Sequence, residues 1–382
     1  MGALEQCRKD DHLDLLLEEI TREAQRVVAT PAHIFLKQLS EATFSNAAVL
    51  IARAGNDAID LRAAYSVKTN PRRELLDLAR REGFCAEVIS AQELEWAQSR
   101  GFEPPTIVYN GPRPLSDPRF RVHVAFADSI EAFEAYAKAR MSTVIGVRLR
   151  PRGTVSRFGV PEEDFDELVR CAAALPKDLD LGVSFHIRPE DFAGRTWGEI
   201  ARSVLHSAMM LEQRTGCPIA VLDLGGGWTP DSFHNALAAE LPAVLPEIRQ
   251  ALPHVREVLL EPGQALATPC VALFCRVLEI RHLKGGATDA VIDGSIHDAP
   301  HIDAYAHRLF ARAGGLFQRL GPGKDRLLGC ACLEYDILAP KVSLPPMLKV
   351  GDLVAIADCG SYDSSMSFVF ALGGASKSAY SS

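Results

Sequence analysis

No stretch of this sequence offers the roughly 18 uncharged apolar residues that a membrane-spanning helix needs. The opening segment MGALEQCRKDDHLDLLLEEI also lacks a basic region followed by an unbroken apolar run, so a secretory leader is not expected and a cytosolic location is. Long basic runs are missing as well. With 41 Lys and Arg against 49 Asp and Glu, the formal net charge is −8, and the electrostatic footprint of a nucleic-acid binder is absent. Nine cysteines form no CxxC pair and have no histidines at ligand spacing, which argues against both a disulfide framework and a structural zinc site, so no metal is expected. Disorder is not suggested either: 47% hydrophobic and 24% charged residues over 382 positions are ordinary for a globular chain with room for two cores.

What is present is alternation. Short β-rich runs recur between longer helical patterns from about residue 60 to 262: LRAAYSVK, FCAEVI, TIVY, VHVAF, TVIGVRL, LGVSF, AVLDL and VREVLLE. Amphipathic segments such as PRRELLDLARRE and DSIEAFEAYAKAR lie between them. Pro71 suits a first helical turn and Asp128 is a candidate cap. Eight such units predict a closed α/β architecture, a (β/α)8 TIM-like barrel; an open doubly wound sheet is the alternative. After residue 268 the runs VALFCRVLEIRHL, DAVIDGS, DRLLGCACL, DLVAIADC and SFVFAL follow without long helices between them, predicting a C-terminal β-domain. TPAHIFLKQL is expected to join it, behind an N-terminal amphipathic helix. The expected division is residues 1–40 with the β-domain, 41–268 as the barrel, and 269–382 as the β-domain proper.

Active sites of such barrels form at the C-terminal ends of the strands. The residues there are Lys68, Ser90, Asn110, Arg148 with Arg150, His186, the Gly225-Gly226-Gly227 triplet and Glu261. A lysine at the end of an interior strand is costly to bury unless it is paired or used chemically, although it could also snorkel to the rim. The glycine triplet can turn its amides toward an anion such as phosphate, or merely make a tight connection. Glu261 could pair with a protonated pyridine nitrogen or end a strand in solvent, and His186 alone would read as a core imidazole. Taken together, they point to a pyridoxal 5'-phosphate (PLP) site.

The motifs AYSVKTNP (64–71), SRFGV (156–160), GVSFHI (182–187), LDLGGG (222–227), EPG (261–263), CLEYD (332–336) and GSY (360–362) resemble, in this order, those of fold-type III PLP-dependent decarboxylases. This is the family of the ornithine, diaminopimelate and carboxynorspermidine decarboxylases, and the match runs from about residue 30 to 370. The resemblance implies an alanine-racemase-like plan of barrel plus β-domain, with Lys68 carrying PLP as a Schiff base. His186 would stack on the pyridine ring and Glu261 would meet its nitrogen. The amides of Gly225, Gly226 and Gly227 and the hydroxyl of Tyr362 would hold the phosphate, with Gly263 and Gln264 alongside. Glu87, where the family commonly has aspartate, and Arg148 would line the bay. A homodimer with shared sites is implied, with Cys332, Asp336 and Tyr362 facing the partner's cofactor and Cys332 returning a proton after CO2 leaves.

Departures from the pattern cluster at phosphate and substrate recognition. Arg188-Pro189 replaces the usual Gly-Ser, and Gln264 stands where arginine is usual; Arg188 is the candidate replacement for the lost phosphate ligand. Leu333 follows Cys332, as in carboxynorspermidine decarboxylases, and His301 stands where an arginine would meet a distal carboxylate. The last motif reads FVFALGG without its usual asparagine. Asp293, His297, Asp298, Leu333, Glu334 and Asp336 are the substrate-pocket candidates. A modified amino acid is therefore expected, such as a citrate-conjugated diamino acid or serine in siderophore assembly. The alternatives are a diaminopimelate, ornithine or lysine decarboxylase, a PLP-dependent racemase, and a non-catalytic PLP-binding regulator.

Overall fold

The computed structural model describes residues 3–55, 59–113, 115, 120–154, 156–188, 194–370 and 377–378, without the side chains of 3–11 and 377–378. The chain divides into two compact units, Met1–Thr43 with Ala267–Ser382, and Phe44–Leu266. The first unit opens with the helix Ala3–Ala24 and strand β1 (Ala32–Phe35). Among the described residues no helix is long and apolar enough to cross a membrane.

The second unit is the barrel. Its strands are β2 (Asp60–Ser66), β3 (Cys85–Val88), β4 (Ile107–Tyr109), β5 (Val124–Ala127), β6 (Val144–Arg148), β7 (Asp180–Ser184), β8 (Ile219–Gly226) and β9 (Glu257–Glu261). Each pairs in parallel with the next, and β2 closes the ring on β9 through Ala63 opposite Leu260. Every residue of β3, β4, β5, β8 and β9 is buried, because helices cover the outside while side chains fill the inside, so these strands read as apolar runs broken only by Glu87, Asp223, Glu257 and Glu261. Phe126 is buried in that interior. A Cβ on Gly146 would collide with its ring, and one on Gly182 would lie 3.1 Å from it, so the glycines of neighbouring strands make the space that the phenylalanine fills.

Helix starts in the barrel differ from expectation by a residue or two. Ser129, not Asp128, caps the helix Ile130–Ala139 by accepting from the Ala132 amide at 3.2 Å. Asp128 instead accepts from the Gly159 amide at 2.9 Å. Pro71 lies before the N-cap Arg72 of the helix Arg73–Arg81 rather than in its first turn.

The first unit then continues through β10 (Val271–His282), β11 (Thr288–Ile292), β12 (Leu309–Ala313), β13 (Leu316–Arg319), β14 (Asp325–Leu328), β15 (Ile337–Val342), β16 (Leu353–Ile356) and β17 (Lys377–Ser378). The sheet order is β13-β12-β16-β10-β11-β14-β15, and β1 pairs antiparallel with β10. Strand periodicity splits β10 between two cores. Leu273, Cys275 and Val277 join one apolar cluster, whereas Ala272 and Phe274 join another with Leu16 and Ile20 of the N-terminal helix. The run SFVFAL is not a strand over residues 367–370. Val369 is 69% exposed and Phe368 38%, and among the described residues no strand pairs with 367–370, while residues 371–374 of FVFALGG, like Pro189, lie outside the described residues.

Candidate active site

Strand β2 ends at Ser66 and the chain tightens into a single 3-10 turn, Val67–Thr69, which sets Lys68 at the C-terminal mouth of the barrel. Ser66 pairs with Glu87 in the β2–β3 register, and the Lys68 amine reaches across to it, with Nζ 2.7 Å from Oε1 and 2.5 Å from Oε2. The Glu87 side chain is wholly buried and that of Lys68 is 25% exposed. Burial pushes the Glu87 carboxyl above the usual carboxylate range, against the pull of the Lys68 charge. The amine is thus paired but open to a reactant.

Glu261, the last residue of β9, lies across the mouth. Its Oε1 accepts from Asn110 Nδ2 at 2.7 Å and its Oε2 is 2.7 Å from His186 Nδ1. Burial works against its charge, yet the hydrogen bond and charge of His186, followed by the charge of Lys68, hold the carboxyl well below its ordinary range. On β8 the neighbouring Asp223 is driven the other way, raised first by burial and then by the Glu261 charge. Asp223 Oδ1 accepts from the Gly225 amide at 2.8 Å, while the buried Oδ2 meets no donor among the described residues. The two neighbouring carboxyls are thus pushed in opposite directions, Asp223 up and Glu261 down.

Arg148, at the end of β6, donates through Nη2 to the His186 carbonyl at 2.7 Å and lies 3.7 Å from Asp128. It braces the peptide that carries the imidazole. The glycines are required where they stand: Gly225 and Gly227 have φ of 73° and 85°. A Cβ on Gly225 would collide with the Phe185 carbonyl, one on Gly226 with the Glu261 carbonyl, and one on Gly227 would lie 2.7 Å from the Ile187 carbonyl. At Gly263 it would strike the side chains of Thr69 and Ser66. Arg188 is exposed and Gln264 half-buried.

The residues expected from the β-domain are described within their own unit. Asp293 accepts from the Arg276 amide at 2.7 Å and from the Thr30 hydroxyl at 2.5 Å. Asp298 accepts from the Ser295 amide at 3.0 Å, and Asp336 from the amides of Ile296 and Ala331 at 2.9 and 2.7 Å. His297 is 3% exposed, and neither ring nitrogen has a hydrogen-bond partner among the described residues. Its ring meets Phe368 edge-on. Cys332 and Glu334 are exposed, and Leu333 and Tyr362 are half-buried.

Two participants gain roles that the sequence did not suggest. Asn110 was visible only as a residue at a strand end, with nothing to indicate its contact with Glu261. Asp223 carries no signal in the sequence beyond its place beside the glycine triplet.

An amine on one buried carboxylate, an ionised carboxylate across from it beside an imidazole, and a glycine turn with no room for side chains fit PLP: a carbonyl-reactive amine, a partner for a protonated ring nitrogen and close backbone amides for a phosphate. Such a site on a (β/α)8 barrel with a β-domain defines a PLP enzyme of the barrel class.

Residues 50–268 match the model of the pyridoxal-binding domain of the pyridoxal-dependent decarboxylases. The diaminopimelate decarboxylase of Archaeoglobus fulgidus is 25% identical, over 91% of this chain and 86% of that protein. The L-glutamyl-[BtrI acyl-carrier protein] decarboxylase of Niallia circulans is 22% identical, over 81% and 79%. In fold the chain is similar to the lysine/ornithine decarboxylase of Vibrio vulnificus solved with putrescine, with a TM-score of 0.73 at 20% identity over 94% of this chain and 96% of that one. The chain belongs to the pyridoxal-dependent decarboxylase family: it is a PLP-dependent carboxy-lyase.

Proposed function

We propose that this decarboxylase acts on a conjugated amino acid rather than on free lysine, ornithine or diaminopimelate. One observation carries this reading. The β-domain acids that could meet a distal ammonium, Asp293, Asp298 and Asp336, already accept hydrogen bonds from groups of their own unit. Leu333 and His301 add neither an acid for a second amine nor an arginine for a second carboxylate. A citryl-diamino acid or citryl-serine, as in siderophore assembly, presents its extra bulk as amide and hydroxyl groups that His297 and Glu334 can meet. The Niallia circulans relative supports the class, since its name describes an amino acid decarboxylated while attached to a much larger carrier.

Lys68 would hold the cofactor and exchange it for the substrate amine. Glu261, its carboxyl held down by His186 and Lys68 and its position fixed by Asn110, would face the ring nitrogen, and the Gly225 to Gly227 amides with Arg188 and Tyr362 would take the phosphate. Bound PLP supplies the electron sink that lets the bond to the carboxylate break. Cys332 would then deliver a proton to Cα, and as in the family the working unit would be a homodimer whose subunits complete one another's sites.

Release of CO2 from purified enzyme, screened over lysine, ornithine, diaminopimelate and citryl conjugates, tests the reading. It predicts turnover of conjugates with little on the free amino acids. Rapid release from any free diamino acid and none from the conjugates would overturn it.

A further inference from the structure

The segment Asp358–Asp363 holds two non-glycine residues in the left-handed region, Asp358 with φ 67° and Tyr362 with φ 64°. Side chains seldom adopt that backbone unless their surroundings enforce it, and here the short stretch Tyr305–Arg308 does so at both ends. Arg308 grips Asp358 as a fork, Nε to Oδ2 at 2.7 Å and Nη2 to Oδ1 at 2.6 Å. Three groups converge on Asp363. The His301 amide reaches Oδ1 at 3.0 Å, and the Tyr305 hydroxyl and His307 Nε2 reach Oδ2 at 2.9 and 3.0 Å.

Tyr305 also hydrogen-bonds the Ser361 carbonyl, and its own carbonyl faces His307 Nδ1 at 2.9 Å. The two rings stack at 4.6 Å. The side chains of Asp363 and His307 are 0% and 1% exposed, so water does not compete for these bonds. His307, Asp363 and Cys359 bring ligand atoms within 4.8 Å of one another. The first two are satisfied by protein groups, and the Cys359 thiol donates to the Ile356 carbonyl at 3.2 Å, so the cluster is complete without an ion.

We propose that Tyr305–Arg308 is a clasp that fixes the turn around Tyr362, with Asp363 and His307 as positioning residues that present the Tyr362 hydroxyl to the cofactor phosphate. This rests on the reading of Tyr362 as a phosphate ligand given above. Asp363 touches neither cofactor nor substrate in this account; it acts through Tyr362 alone.

The test is a double-mutant cycle on the full chain, reading the PLP dissociation constant from visible absorbance as apoenzyme is titrated, alongside thermal stability. Tyr362→Phe should weaken PLP by about tenfold, the loss of one hydrogen bond to a charged group. Asp363→Ala should weaken it to a similar extent, and Asp363→Asn, which keeps an acceptor, should restore most of the affinity. The Asp363→Ala/Tyr362→Phe double variant should bind no worse than Tyr362→Phe. Tyr305→Phe, which keeps the ring and its stacking, provides a second route if Asp363→Ala does not fold, and should weaken PLP by a few fold. Full losses that multiply in the double variant, or a Tyr362 effect with none at Asp363 or Tyr305, would overturn the clasp. No loss in Tyr362→Phe would instead show that the phosphate reading fails, and the proposal with it.

Discussion

Asn110 Nδ2 donates to Glu261 Oε1 at 2.7 Å, joining the ends of β4 and β9 across the barrel mouth. With His186 on the other oxygen, the carboxylate has a fixed position and a reason to stay charged. Removing a donor to the charged form raises a carboxyl's pKa. Asn110→Leu should therefore move the acid limb of the kcat profile to higher pH, because the ionised form is the working one. Glu261→Gln should cut kcat by about 10²-fold or more. Steady-state kinetics over pH checks both, and an unmoved acid limb in Asn110→Leu would contradict the assignment.

A second pH dependence belongs to stability. Glu93 is buried at the start of the helix Ala91–Ser99 and accepts from the Ile89 amide at 2.9 Å. Burial pushes its carboxyl up to about 7. A folded-state pKa above the unfolded value of about 4.3 means that the native state binds the extra proton, so stability falls as pH rises through that window. Glu93→Gln removes the dependence. Relative to the parent it should gain up to about 3 kcal/mol between pH 5 and pH 9, measured by denaturant unfolding.

Gly226 pairs with Glu261 in the β8–β9 register, and a Cβ there would strike the Glu261 carbonyl and lie 3.1 Å from His186 Cε1. Gly226→Ala should cost about 1–3 kcal/mol and weaken PLP as well, because it moves both Glu261 and His186, the residues proposed to meet the ring. Thermal unfolding with and without PLP reads the two effects, and an unchanged holoenzyme would show that the turn has more room than its backbone indicates.

Cys332 is exposed on its own unit, and the proposed role for it is proton delivery to Cα. Cys332→Ala should lower kcat by about 10²-fold or more while leaving PLP affinity and thermal stability as they were. Equal losses in affinity and turnover would mean that the thiol holds the cofactor instead.

The barrel was legible because each of its strands is a short apolar run between helices, and Lys68, Gly225 to Gly227 and Glu261 all stand at strand ends. Contacts between distant strands were not legible. Nothing local in TIVYN ties Asn110 to Glu261, and Asp223 gains its significance only from a carboxylate on the next strand. The hairpin of β12 and β13 is hard to read because its strands are short and joined through Gly314 and Gly315, and β15 because Pro340 interrupts it, as its place at the sheet edge and its irregular pairing with β14 permit. SFVFAL failed in the opposite sense. Its apolar alternation suggested a strand, but residues 367–370 form none, and Val369 is left facing outward. Asp128 misled by one position, since the adjacent serine had the geometry to cap.

The central claim is that Lys68 carries the cofactor. Reduction of the PLP-loaded enzyme with borohydride, then proteolysis and mass spectrometry, tests it most directly. The account predicts a pyridoxyl group on the peptide containing Lys68 and on no other, and none in Lys68→Ala. A label on a different lysine, or an unlabelled Lys68 peptide from enzyme that has bound PLP, would contradict it.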